Sequence, residues 1–297
     1  MSIKLPPPRV AAVHDLSCLG RCALTVIMPT LSVMGYQVVP IPTALLSTHT
    51  GGFTDLHFRD LTRDMEQITA HFQELGTSFR AIYSGFLGSD EQIETVSHLI
   101  EQFGTRPDES GELPLVLIDP VMGEDGELYS TYTPELMRGM RRLSRHAHLL
   151  TPNLTEACFL TDTPWRDTAR LSPDDAMDFA NDLLYKLHRV TDGRIVITGI
   201  ALSDNRLANI GTADDGNRFY VIRPHDAHAY PGTGDLFASV LLGTLLNGNR
   251  LEKACCAAAD FTAEVIHESA KIATEPRYGV ALEEHLWKLS KFGKERI

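Results

Sequence analysis

Short apolar runs rich in valine and isoleucine recur along this chain, and longer segments with apolar residues at helical spacing separate them. Residues 10–13, 36–41, 81–84, 115–118, 149–150 and 195–198 read as strands. Helices are expected over 22–34, with Pro29 interrupting or kinking it, over 61–75, from Ser89 onward, over 134–145 and beyond Asn153. The strand runs carry no polar face, which is the pattern of strands buried on both sides. Such alternation predicts an α/β fold: three α/β/α layers around a mainly parallel central sheet.

Local signals sharpen the boundaries. Ser89 with Gln92 three residues on reads as a capping box, and Ser172-Pro173-Asp174-Asp175 joins a serine cap to a proline at the first helical position. Residues 207–210 and 219–222 look like two strands of a hairpin turning through 213–217. Helices are then expected over 251–267 and 280–289. No composition break, heptad or internal repeat divides the chain, so one domain over 1–297 is expected, with 1–8 as a short tail.

Charge and cysteine usage narrow the function. The formal net charge of −12 argues against broad binding to nucleic acid or to anionic membranes, although a local nest or a metal can still receive an anionic substrate. No apolar run approaches a membrane span, and prolines occupy the N-terminal stretch where a secretory signal would need apolar residues. The five cysteines, Cys18, Cys22, Cys158, Cys255 and Cys256, are odd in number and scattered, unlike a disulfide framework. A reducing cytoplasm is the expected setting.

In open α/β sheets, ligands sit beyond the carboxyl ends of the strands. Asp15 and Ser17 are expected there after the first strand, Thr50 after the second, Phe86 after the third and Asp119 after the fourth. Asn153, Thr198 and Asp235 follow later elements in the same way. Around Asp235 the chain reads Gly232-Thr233-Gly234-Asp235 and then becomes apolar at helical spacing through Phe237, Val240, Leu241 and Leu245. A helix is therefore expected to begin near Gly234. Glycines let its first turn approach a ligand closely, and the unpaired N–H groups there form an anion site. A carboxylate beside that nest can accept a proton from an alcohol while the nest holds the phosphoryl group under attack. Asp235 also reads as ordinary compensation of the helix dipole.

Asp119, Glu124 and Glu156 are hard oxygen ligands suited to magnesium, directly or through water. Each has a structural alternative: a strand terminator, a solvated loop acid and a first-turn helix acid. Asn153 reads equally as a helix cap and Thr198 as a strand end. A Walker A loop, a dinucleotide-binding glycine fingerprint and a GxSxG elbow are all absent. Phosphoryl transfer stays open, because it chiefly needs positioning, charge neutralisation and an alcohol in line.

The GTGD at 232–235 resembles the signature of the ribokinase-like kinases. STHTGGF at 47–53, GFLGS at 85–89, DPVMG at 119–123 and TPNLTEA at 151–157 resemble the pyridoxal/pyridoxine/pyridoxamine kinases of vitamin B6 salvage within that superfamily. HDLSCLGRC at 14–22 is similar to the form found in bacterial pyridoxamine kinases. The resemblance spans about residues 9–290. It implies phosphorylation by MgATP of the 5′-hydroxymethyl group of pyridoxal, pyridoxine or pyridoxamine. Asp235 would be the base and Gly232, Thr233 and Gly234 the anion hole.

By the same resemblance, Asp15, Ser17, Ser47, Thr50 and Phe86 would line the substrate ring. Asp119, Asn153, Glu156, Thr198, Thr233 and Gly234 would face ATP, and Asp119, Glu124 and Glu156 would handle Mg2+. A monovalent cation such as K+ near the phosphates, a homodimer and the lack of a large lid are also implied. Phe86 stands where relatives often carry tyrosine, and Glu124 where they often carry aspartate. An acidic Asp15 near the ring would favour the aminomethyl group of pyridoxamine. Hydroxymethylpyrimidine kinases and sugar kinases share the GTGD signature and are the nearest alternative. A non-catalytic nucleotide-binding regulator is a more distant one.

Overall fold

Alternate residues of the buried strands feed two separate cores. In β1 (Arg9–Leu19), Val10 and Ala12 join one core while Ala11 and Val13 join the other. The computed structural model describes residues 6–213, 215–226, 228–272 and 275–292. Residues 1–5 of the expected tail, Asp214 of the expected hairpin turn and Ala227 lie outside them.

After β1 come α1 (Leu24–Val33), β2 (Gln37–Thr48), β3 (Phe58–Asp60), α2 (Thr62–Glu74), β4 (Ala81–Ser84) and α3 (Asp90–Phe103). The middle of the chain forms β5 (Leu115–Ile118), β6 (Gly123–Glu124), β7 (Glu127–Leu128), α4 (Pro134–Leu143), β8 (Leu149–Leu150) and α5 (Leu154–Leu160). It closes with α6 (Pro173–Leu187), β9 (Arg194–Leu202), β10 (Arg206–Thr212), β11 (Arg218–Pro224), α7 (Thr233–Leu246) and α8 (Leu251–Ser269).

Nine strands make one sheet in the order β11-β10-β9-β8-β5-β4-β1-β2-β3. Neighbours from β2 through β9 run parallel, while β3, β10 and β11 add antiparallel edges. Met65, Val96, Met140, Ala157 and Leu183 cover one face from α2 to α6. Leu24, Ile27 and Leu31 of α1 cover the other, together with α7 and α8. The fold is thus a three-layer α/β/α arrangement with a mainly parallel sheet. Burial on both faces is why the strand runs lack a polar side. No helix among the described residues is long and apolar enough to cross a membrane.

Several boundaries differ from those the sequence predicts. β1 does not end at Val13: it pairs with β2 from Arg9↔Gln37 to Leu19↔Thr48, with a register irregularity between His14 and Leu16. On its other side β4 pairs only with Val10–Val13. Backbone pairing to β2 therefore carries the polar stretch beyond the body of the sheet, and Asp15 and Ser17 lie within a strand. Thr198 likewise lies inside β9. Pro29 sits within α1 without ending it.

The expected capping box at α3 is half formed. Ser89 Oγ accepts the Gln92 N–H, but the Gln92 amide reaches Gly88, Thr43, Asp60 and Thr62 instead of the cap backbone. The expected helix over 280–289 is replaced by turns and a 3-10 segment, Leu286–Phe292. Val280, Leu282 and Leu289 are buried without sharing a helical stripe, and the Ala281 N–H donates to Ser269 Oγ at 2.9 Å. Burial of spaced apolar residues decides this segment over helical propensity.

Candidate active site

Gly232 caps α7 with φ +79°, ψ 2°, a left-handed conformation that suits glycine. Space requires glycine as well, since a Cβ there would collide with the Arg21 carbonyl oxygen. Thr233 Oγ1 donates to the Tyr230 carbonyl at 3.1 Å, which fixes the entry to the helix. A Cβ on Gly234 would meet open space. The first-turn N–H groups, which have no intrahelical acceptors, thus lie next to room for an anion.

Asp235 occupies the same turn. Its Oδ2 accepts the Ala23 N–H at 2.7 Å, and Oδ1 lies 3.9 Å from His14 Nδ1. Ala23 is the N-cap of α1 and holds φ 47°, ψ −131°, a strained conformation for a non-glycine residue. The side chain of Asp235 keeps 15% of its surface open. Burial pushes its pKa up to about 7; the Ala23 N–H opposes that rise and the charge of Asp15 adds to it. A carboxylate tuned to neutrality and still accessible suits general-base work.

Asp15 belongs to the same site. It is 9% exposed, Ser17 Oγ donates to its Oδ2 at 2.9 Å, and burial raises its pKa against that hydrogen bond. The Cys22 thiol is also raised, by burial and then by the charges of Asp15 and Asp235. The structure therefore brings Asp15, Ser17 and Asp235 together around Cys22.

The other acids gather nearby. After burial, the charges of Glu156, Glu124, Asp235 and Asp119 all raise the Tyr129 phenol, so the four carboxylates surround one region. Asp119 is buried, and its pKa lies well above the usual carboxylate range because of burial and the charges of Glu156 and Asp235. Its carboxylate has no hydrogen-bond donor among the described residues. Glu156 is different: Oε1 accepts the Met122 N–H at 3.1 Å and Oε2 the Asn153 N–H at 2.8 Å. With Asn153 Oδ1 accepting the Glu156 N–H, the two residues form the capping box of α5. Burial raises Glu156 to about 8 in spite of those donors.

Asp119 thus fits a magnesium ligand by its free lone pairs, while Glu156 keeps fewer, because Oε1 and Oε2 each already accept a backbone N–H. Glu124 is exposed on the β6–β7 hairpin. No three metal-ligating side chains among the described residues form a ready cage. That is compatible with magnesium, which commonly takes one or two carboxylates and completes its shell with water and substrate phosphates.

The remaining candidates divide. Asn153 Nδ2 donates to the Gly123 carbonyl at 2.9 Å and pairs across a parallel bridge with Thr198, whose N–H donates to Pro152. Both tie the segment that follows β8 to the interior of β9. Ser47 Oγ accepts the His57 N–H at 2.9 Å and so binds the loop between β2 and β3. Thr50 is exposed and has no hydrogen bond among the described residues. Phe86 is half-buried against the core formed with α2 to α6.

His49 anchors the STHT loop: Nδ1 accepts the Gly51 N–H at 3.1 Å, which leaves Nε2–H to donate to the Arg277 carbonyl at 2.6 Å. Sequence reasoning named no role for His14, Ala23, His49 or Tyr129. An alanine gives no sign of a positive φ, and the contacts of the other three come from distant segments.

Known proteins resemble this chain in sequence and in fold. The family model for phosphomethylpyrimidine kinase matches residues 27–278. The pyridoxine/pyridoxal/pyridoxamine kinase of Bordetella avium is 30% identical over 269 residues, 86% of this chain and 84% of that protein. A Bacteroides thetaiotaomicron protein provisionally called a phosphomethylpyrimidine kinase superposes with a TM-score of 0.85 at 36% identity, over 97% of this chain and 96% of that one. A second crystal form of it, with pyridoxal, gives 0.84 at 36% identity over 95% and 96%. Pyridoxal kinase from Lactobacillus plantarum gives 0.84 at 28% identity, again over 95% and 96%. By sequence match and by fold, this chain belongs to the phosphomethylpyrimidine kinase family of ribokinase-like small-molecule kinases.

Proposed function

We propose that this protein transfers the terminal phosphoryl group of ATP to the exocyclic hydroxymethyl group of a small nitrogen heteroaromatic. The observation that carries this reading is Asp235, a carboxylate raised to about 7 in the first turn of α7 beside the open space at Gly234. Asp235 takes the proton of the alcohol, and the N–H groups of Thr233 and Gly234 receive the charge that develops on the phosphoryl oxygens. None of Asp15, Asp119, Glu156 and Asp235 pairs with lysine or arginine among the described residues, so a polyphosphate needs a cation to enter. Asp119, with Glu124 and Glu156 nearby, would hold Mg2+, which would supply that neutralisation. K+ near the phosphates, a homodimer that sediments at twice the chain mass and a cytoplasmic setting belong to the same reading.

Two rings carry the required group. The family match over residues 27–278 favours a hydroxymethylpyrimidine. The Bordetella relative and the Bacteroides form with pyridoxal favour pyridoxal, pyridoxine or pyridoxamine. Both rings would stack near Phe86 and meet Asp15 with Ser17.

Turnover of a hydroxymethylpyrimidine and the three vitamers with MgATP, by wild type and by Asp235→Asn, tests this. We expect at least one of the alcohols to be phosphorylated, and the variant to lose roughly 10² or more in rate while retaining nucleotide binding. Turnover of none, or a variant within a few-fold of wild type, would refute the proposal.

A further inference from the structure

His14 is almost completely buried at 1% exposure, within the part of β1 that leads toward the site. Its ring meets Tyr83 edge-on, with centroids 4.3 Å apart at 76°. Gly85 leaves room for it, since a Cβ at that position would collide with His14 Cε1 and Nδ1. Nε2 has no hydrogen-bond partner among the described residues, and Nδ1 stands 3.9 Å from Asp235 Oδ1, too far for a hydrogen bond. A polar ring is therefore kept in a tailored slot without the bonds that usually justify burying one.

We propose that His14 is a positioning residue for Asp235: its ring fills the space beside Oδ1, confines the carboxylate against the Ala23 N–H and keeps water from the reacting oxygen. This rests on Asp235 being the base.

Burial drives the imidazole pKa down to about 3, so the ring is neutral wherever the enzyme works and the contact is not an ion pair. A cationic ring would stabilise the ionised carboxylate and weaken it as a base, whereas a neutral one leaves it desolvated. The other groups acting on Asp235 are the Ala23 N–H, which lowers its pKa, and the charge of Asp15, which raises it. Asp119, Tyr83 and Cys22 respond in turn to its charge.

The test is the pH profile of kcat/KM in His14→Ala, His14→Phe and Gly85→Ala, with Tm and the Kd for ATP measured alongside. His14→Ala admits water, and its acid limb should move down by about one pH unit or more as Asp235 is solvated. Its rate above pH 8 should fall about tenfold to a hundredfold, the cost of losing alignment at the reacting atom, with the Kd for ATP unchanged. His14→Phe, which refills the slot, should keep the limb near its wild-type position. Gly85→Ala, which drives the ring from its slot, should reproduce the shift with residue 14 intact.

A folded His14→Ala or Gly85→Ala with the wild-type acid limb overturns the positioning role. If His14→Ala does not fold, Gly85→Ala and His14→Asn decide by the same readout. Asp235→Asn with near-normal turnover would instead remove the base assignment itself, which separates the two failures.

Discussion

With Asp235 as the proposed base, one side chain would couple stability to catalysis. Its folded pKa near 7 lies above the ordinary carboxylate value of 3.8, so the folded state binds the extra proton more tightly than the unfolded chain does. The stabilising contribution is fully present below about pH 4 and is lost as pH rises through about 7, with an upper bound of roughly 4 kcal/mol. Asp235→Asn should therefore gain Tm over wild type at pH 8, and the gain should shrink toward pH 4. Catalysis runs the other way: kcat/KM should climb through about pH 7 as the carboxylate ionises. A flat profile between pH 6 and 8 would contradict the assigned base. Asp15 offers a specificity test. Its buried carboxylate, held by Ser17, is an acceptor suited to an amino group next to the hydroxymethyl. Asp15→Asn should lower kcat/KM for pyridoxamine relative to pyridoxal, and an unchanged ratio would count against that role.

Among the elements, α7 depends most sharply on one residue. Gly232→Ala combines a positive φ with a collision against the Arg21 backbone, which cannot swing aside as a side chain could. The conformational term alone is about 1–2 kcal/mol, and displacement of the α7 start should reduce turnover by at least tenfold, because Asp235 and the N–H nest move together. Urea denaturation midpoints and steady-state rates check both effects. α1 and α7 meet at this point, since the Asp235 carboxylate closes the first turn of one onto the N-cap of the other. The signature GTGD was readable in the chain because glycine spacing and the apolar run behind it are local. The partner at Ala23 was not, because 212 residues separate donor from acceptor. Asn153 and Glu156 show the opposite case. Their three-residue spacing encodes a capping box, and the structure uses both side chains for it, so the local reading is borne out for Asn153 and Glu156.

Over the whole molecule, the sheet gathers Asp15 of β1, Asp119 just after β5, Glu156 of α5 and Asp235 of α7 into an acidic site, and none of these four carboxylates has a lysine or arginine partner among the described residues. ATP alone should meet repulsion there. MgATP at a hundredfold excess over its Kd should stabilise the fold by about 2.7 kcal/mol, whereas ATP with a chelator should give much less. Thermal shifts with and without Mg2+ measure this, and equal shifts would argue against a metal-bridged phosphate.

Hydrophobic periodicity, being a local property, was enough to specify the layers, the parallel strands and the helix starts at Ser172 and Asn153. Glycine chemistry, equally local, marked the turn before Asp235. Tertiary structure alone decided how far β1 runs, because its polar end is held by pairing with β2, and that the C-terminal segment is not a helix, because Val280, Leu282 and Leu289 pack into the core of α7 and α8 while Ser269 Oγ takes the Ala281 N–H. It also decided which acids are free. Glu156 is occupied by backbone donors, Asp119 is not, and Asp235 is held between Ala23 and His14. Those distinctions depend on desolvation and on partners remote in the chain, which no stretch of sequence contains.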